Sequence, residues 1–377
     1  MTKILPFENP IYVTRPLLPK LDEFLAIISE IWDDRWLTNN GKKHQLLEEK
    51  LKGLLKVPYL SLFNNGTIAL VVGCKALGIS GEVITTPFTF PATPHALAWN
   101  NLKPVFCDID PLTMNIDAHK IEDLITSQTS AILGVHVYGT PCDVIKIQSI
   151  ADMYGLKVIY DAAHAFLVEI DGVGIGNYGD LSMVSFHATK LFHTAEGGAL
   201  MYKDEKLKSK IELLKNFGIK NEEEVASIGI NGKMSEIHAA LGLSLLKYLQ
   251  QEYEARKRIA NIYRERLTNV EGITLPIERL NITSSYQYFP IRINSKYFGC
   301  DRDFVYTELK KYNVFTRKYF YPLCSEYPSY KDIPSANKQN LPNAHQIVNE
   351  VLCLPIYGDL NTDTVHDICT LIHLLQR

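Results

Sequence analysis

The sequence, 377 residues long, predicts an α/β protein with a mostly parallel central sheet and a smaller α+β domain at its C-terminal end. Three observations lead there. Short apolar runs alternate with longer amphipathic stretches, which is the pattern of strand-helix-strand units. The runs at 105–109, 131–137 and 158–160 are continuous rather than alternating, as expected of strands covered on both faces. A long helical stretch at 235–267, apolar first and heavily charged later, separates this pattern from the remainder. Length fits about two domains, and a hydrophobic fraction of 46% with 21% charged residues suits a globular chain.

Taken in order, residues up to 60 form a helical lead-in: an amphipathic segment at 21–32, the turn Asn39-Asn40-Gly41, and a second helix at 46–55. A strand at 59–63 meets Asn64-Asn65-Gly66-Thr67, then a helix at 68–77 that Gly78 closes. A strand at 82–86 leads through Pro87-Phe88-Thr89-Phe90 into a helix at 91–100, with proline at its start. The strands at 105–109, 131–137 and 158–160 follow, with helical segments near Ile121 and at 145–153. Strands at 180–185 and 198–202 flank the loop that contains Lys190. The long stretch at 235–267 places a domain boundary near Tyr253, dividing the chain into 1–252 and 253–377. Beyond it lie a strand at 286–293 and a helix at 301–312.

Composition excludes several function classes. Net charge is -3 and the pI about 6.4, with acids and bases interspersed, so no nucleic-acid footprint is present. Seven scattered cysteines without a CxxC pair fit a reducing compartment rather than a disulfide framework or a zinc site. The N-terminus lacks an apolar h-region and no run is long enough to span a bilayer. These features predict a cytoplasmic protein without membrane or nucleic-acid partners. His136, His164, His187 and His193 have no ligand spacing, so no metal is expected. The glycines of Gly172-Val173-Gly174-Ile175-Gly176 are misspaced for a dinucleotide fingerprint, and a turn between strands accounts for them. Neither a GxSxG elbow nor a P-loop is present.

What remains is concentrated at strand ends. Lys190 lies in Ser185-Phe186-His187-Ala188-Thr189-Lys190, among aromatics and small residues, with Glu196-Gly197-Gly198 soon after. Partial desolvation there lowers an amine's pKa and frees its nucleophilic form; a buried ion pair or a snorkelling stem is the alternative. Asn65-Gly66-Thr67 joins a strand to a helix start and offers amides to a phosphate, or else Thr67 is a plain N-cap. Asp161 ends an apolar strand, where open α/β sheets bind ligands; a turn or cap role is equally open. Phe88 and Phe90 follow another strand and offer a ring to stack on a planar group, unless they are core. A phosphate site, a stacking ring, an acid for a ring nitrogen and an amine are the contacts that pyridoxal 5'-phosphate requires.

These residues, with Ser-Phe-His-x-x-Lys followed by Glu-Gly-Gly, resemble the DegT/DnrJ/EryC/StrS family of sugar-nucleotide aminotransferases. The resemblance covers essentially the whole chain and implies the aspartate aminotransferase fold (PLP-dependent transferase, type I). It implies that Lys190 carries the cofactor, that Asp161 partners the pyridine nitrogen, and that Gly66, Thr67 and Ser185 contact the phosphate. Phe90 is then the stacking ring and His164 the neighbour of the phenolic oxygen. Asn231 and Lys233, in Gly229-Ile230-Asn231-Gly232-Lys233-Met234, are implied to complete the phosphate cup of a neighbouring subunit in a homodimer. His187, Arg317 and Tyr319 are implied substrate contacts. The stretch from Phe186 to Thr194 is closest to members that aminate C4 of a dTDP-linked 4-keto-6-deoxyhexose with L-glutamate, for O-antigen or other deoxyaminosugar synthesis. C3 amination of a 3-keto isomer is the alternative. Some relatives are dehydratases with histidine where the lysine stands, and Lys190 favours transamination.

Overall fold

The computed structural model describes residues 4–377; the first three residues, which belong to the start read above as lacking an apolar leader, lie outside them. At its centre is a seven-stranded sheet in the spatial order Tyr59–Phe63, Gly198–Tyr202, Leu181–Ser185, Lys157–Asp161, Thr129–Val135, Glu82–Thr85, Lys103–Phe106. Gly198–Tyr202 is antiparallel to both its neighbours, and the remaining neighbouring pairs are parallel. Each strand expected from an apolar run is present; those at 59–63 and 198–202 keep their expected ends, and the others move by up to three residues. Side chains alternate between two buried faces. Val83, Leu133, Ile159 and Leu200 enter one apolar layer, while Ile84, Ile132, Val158 and Tyr160 enter a second and Leu62, Ala199 and Met201 a third. Helix Gly66–Leu77 covers the first layer, and helices Lys42–Leu54 and Val144–Tyr154 cover the others.

Three expectations need correction. The stretch at 235–267 is two helices, Glu236–Leu245 and Leu249–Leu267, rather than one. The two halves serve different cores, and at the turn between them the Glu23 carboxylate accepts the Tyr248 hydroxyl at 2.7 Å and the Lys247 ammonium at 2.8 Å. Leu243 and Leu245 of the first helix pack on the large sheet, whereas Ile259, Tyr263 and Leu267 of the second pack on a smaller one. The helical segment near Ile121 is a pair of 3-10 turns, Ala118–Lys120 and Glu122–Leu124.

The smaller antiparallel sheet comprises Ile273–Thr274, Phe289–Ile293 and Val351–Leu354. Helices Arg302–Lys311 and Thr362–Leu375 pack around it. The strand expected from 286 begins only at Phe289, because Tyr286 adopts a φ of 46° and breaks the extended run. No helix among the described residues is long and apolar enough to cross a membrane. All seven cysteines are unpaired.

Candidate active site

The parallel strands deliver their C-terminal ends to one side of the sheet, and the candidate residues follow those ends. Asp161 closes Lys157–Asp161 and is buried. Its Oδ2 accepts the Thr93 hydroxyl at 2.7 Å and its Oδ1 the Ala163 amide at 3.0 Å. Burial raises the carboxyl's pKa, with Thr93, Ala163 and the Lys190 charge opposing that rise. Both oxygens retain a free lone pair for another donor.

Lys190 sits in a loop pinned by its own backbone and aromatics. Phe186 and Thr194 close the loop through Phe186 N to Gly197 O and Thr194 N to Phe186 O, both 2.9 Å. Phe186 and Phe192 meet edge to face at 5.1 Å and both pack against Phe166. The lysine side chain itself is half-buried. Among the described residues its ammonium takes part in no hydrogen bond or ion pair; the Tyr288 ring centroid is 5.6 Å away. Burial pulls the amine down to about 8, an effect the Asp161 charge partly offsets. His164 is buried and held well below its usual range, first by burial and then by the Lys190 charge. Its Nδ1 accepts the Tyr138 amide at 3.2 Å, which leaves that nitrogen unprotonated.

At the other end, helix Gly66–Leu77 is capped by Asn65, whose side chain accepts the Ile68 amide at 2.8 Å. Asn65, not Thr67, is therefore the N-cap. The amides of Gly66 and Thr67 stay unpaired among the described residues, as an anion site requires. The Glu196-Gly197-Gly198 motif has a packing reason: a Cβ on Gly198 would lie 2.7 Å from the Gly66 nitrogen. Ser185, paired in register with Gly198, brings its hydroxyl to the same turn. Asn231 and Lys233 lie further out. Lys233 Nζ donates to Asn216 Oδ1 at 2.8 Å and Asn231 Oδ1 at 2.9 Å, and Gly232 O receives the Asn64 amide at 2.8 Å. Neither side chain contacts Asp161 or Lys190 in this chain.

The two phenylalanines separate cleanly. Phe88 is 0% exposed and packs edge to face on Tyr138 and Phe320, whereas Phe90 is 55% exposed. Phe90 keeps a free ring. Tyr319 meets Tyr288 at 5.4 Å, and the Arg317 guanidinium lies 5.5 Å from the Tyr319 ring. Arg317 is positioned by a two-way backbone bridge to Cys353. His187 is exposed, with Nδ1 2.8 Å from Thr189 Oγ1.

Sequence reasoning missed Thr93, Gln287 and Tyr288. Thr93 is one helical turn from Thr89, to which it is hydrogen-bonded at 2.8 Å, so it reads as an ordinary helix residue. Gln287 and Tyr288 lie more than ninety positions beyond Lys190, in what reads as a strand. The residues present fit pyridoxal phosphate on this chain's own features: an acceptor carboxylate with spare capacity, two unpaired helix-start amides, a partnerless amine and a free ring. No group of three or more His, Cys, Asp or Glu able to hold a metal occurs among the described residues.

A family model for the DegT/DnrJ/EryC1/StrS aminotransferases matches residues 20–373. The chain is 50% identical over 370 residues to dTDP-4-amino-4,6-dideoxy-D-glucose transaminase of Escherichia coli, covering 97% of this chain and 98% of that protein. It is 47% identical over 369 residues to the Shigella dysenteriae protein of the same name, covering 98% and 100%. Among solved structures, DesI, determined in the presence of its TDP-sugar product, superposes with a TM-score of 0.94 at 35% identity over 99% of this chain and 95% of that one. Helicobacter pylori PseC, an aminotransferase of pseudoaminic acid biosynthesis, gives 0.90 at 29% identity over 98% and 99%.

Proposed function

The chain belongs to the DegT/DnrJ/EryC1/StrS family of pyridoxal-phosphate-dependent sugar aminotransferases, and from that premise we propose its reaction. It moves an amino group from L-glutamate to C4 of dTDP-4-keto-6-deoxy-D-glucose, giving dTDP-4-amino-4,6-dideoxy-D-glucose and 2-oxoglutarate. The observation that carries the reading is the partnerless Lys190 amine, lowered to about 8 beside a buried Asp161. The choice of sugar is supported by the two relatives near 50% identity that carry that product in their names.

When bound, pyridoxal phosphate supplies an electron sink for charge that develops at the carbon bearing the amino group. The chain's residues do the rest. Lys190 Nζ, lowered to about 8, is partly neutral near that pH, so it can attack a carbonyl carbon and would accept and return a proton at the substrate carbon when the cofactor is bound. Asp161, its orientation fixed by Thr93 and Ala163, would hold a proton on the ring nitrogen. The Gly66 and Thr67 amides and the Ser185 hydroxyl would take the phosphate, the Phe90 ring would stack on the cofactor, and His164 would serve its phenolic oxygen. His187, Arg317 and Tyr319 hold the sugar nucleotide.

The same reading makes the protein a homodimer in which Asn231 and Lys233 serve the partner's phosphate site, and divides the chain into a cofactor-binding part, 1–252, and a smaller part, 253–377. It places the enzyme in the cytoplasm, supplying aminosugar for O-antigen or other deoxyaminosugar synthesis. The test is an assay with glutamate and the 4-keto sugar that follows 2-oxoglutarate. Consumption of only the 3-keto isomer would move the amination to C3 and refute the C4 assignment.

A further inference from the structure

Gln287 is 1% exposed, carries no charge, and is absent from every motif that marks the site. Its side chain nevertheless meets the backbone on both sides of Lys190. Oε1 accepts the Leu191 amide at 2.7 Å, and Nε2 donates to the Thr189 carbonyl at 3.0 Å. Only one orientation of a carboxamide satisfies an N-H and a C=O at once, so the two bonds fix each other. Unlike the contacts inside the lysine loop, this one comes from a distant segment. Its neighbours touch the same site: the Ser285 hydroxyl donates to the His164 carbonyl at 2.7 Å and the Tyr288 ring flanks the Lys190 amine at 5.6 Å.

We propose that Gln287 is a positioning residue for the transamination, a two-pronged clamp on the peptide groups flanking Lys190 that fixes where the amine stands relative to Asp161. The clamp also links that amine to the substrate loop. Phe289–Ile293, which continues from the clamp, pairs with Val351–Leu354, and Cys353 of that strand pairs with Arg317. No other side chain among the described residues bonds the Thr189 carbonyl or the Leu191 amide. A displacement of about 1 Å in a reacting group costs on the order of 10²-fold in rate, so two bonds that hold the amine's backbone bear directly on turnover.

The proposal rests on the transaminase reading for its activity measurements but not for its labelling measurement. Gln287→Leu keeps the volume and removes both bonds. The expected result is kcat lower by roughly 10- to 100-fold with KM for glutamate and sugar nearly unchanged. In the full-length chain before cofactor loading, competitive acetylation of Lys190 read by mass spectrometry should move its half-point upward from about 8 toward the ordinary lysine value of 10.5. Gln287→Glu guards against a misfolded leucine variant. A protonated carboxyl can both accept from Leu191 and donate to Thr189, whereas the ionised form sets a carboxylate against a carbonyl. Its activity relative to wild type should therefore be highest at low pH and fall as pH rises. Wild-type kcat in Gln287→Leu, unchanged Lys190 labelling, or a Gln287→Glu pH profile parallel to wild type would each overturn the clamp. A wild-type enzyme that does not turn over the sugar, with labelling shifted as expected, would instead refute only the substrate assignment.

Discussion

Replacing Lys190 by methionine should stabilise the cofactor-free chain while abolishing turnover. Burial takes the amine from 10.5 to about 8, so below pH 8 folding keeps a proton where the surroundings disfavour it. At about 1.4 kcal/mol per tenfold change in proton affinity, that gap corresponds to about 3 kcal/mol, and residual solvent screening at the partly buried side chain trims it to roughly 2 kcal/mol. The sign follows from proton binding. Between pH 8 and 10.5 the unfolded lysine is protonated and the folded one is not, so wild-type stability rises with pH through this window. Methionine has no such term. Its advantage is therefore full at pH 7 and gone by about pH 10.5. Urea unfolding of the cofactor-free proteins at pH 7 and pH 10.5 measures this directly. No gain at pH 7, or an equal gain at both pH values, would refute a desolvated amine and point to plain apolar packing.

Asp161→Asn preserves the volume but cannot hold a positive ring nitrogen, and turnover should fall by on the order of 10²-fold or more while the cofactor still binds, checked by kcat and cofactor absorbance. Thr93→Val removes the 2.7 Å bond to Asp161; the carboxyl, already raised by burial, should rise further, and the acid limb of the rate profile should move to higher pH. Gly198→Ala puts a Cβ 2.7 Å from the Gly66 nitrogen; overpacking of this kind costs about 1–3 kcal/mol and should weaken cofactor retention in dialysis more than it alters KM for the sugar. Reduction with borohydride should leave the cofactor on Lys190, found by peptide mass spectrometry, and its attachment elsewhere would remove the lysine from its role.

The parts legible in the sequence were those that local pattern dictates. Continuous apolar runs announced the buried parallel strands, and Gly78, left-handed at φ 68°, announced a helix end. Lys190 stood out because aromatics and small residues surround it in the sequence, with a glycine pair soon after. The break at Leu246–Tyr248 was hidden, since the two helices it separates pack into different cores assembled from distant parts of the chain. Thr67 looked like a cap because a hydroxyl at a helix start usually is one, yet Asn65, two residues earlier, takes that task and leaves the Gly66 and Thr67 amides free. Gln287 was hidden for the same physical reason as the break: its meaning lies in two bonds across the fold, to Thr189 and Leu191. Phe88 and Phe90, alike in sequence, were separated only by packing.

The central claim is tested most directly by incubating the purified protein with L-glutamate and dTDP-4-keto-6-deoxy-D-glucose and identifying the product by NMR. The account predicts stoichiometric 2-oxoglutarate and a sugar with its new amine at C4, both lost in Lys190→Met. An amine at C3, or no consumption of the 4-keto sugar by a cofactor-loaded enzyme, would contradict it.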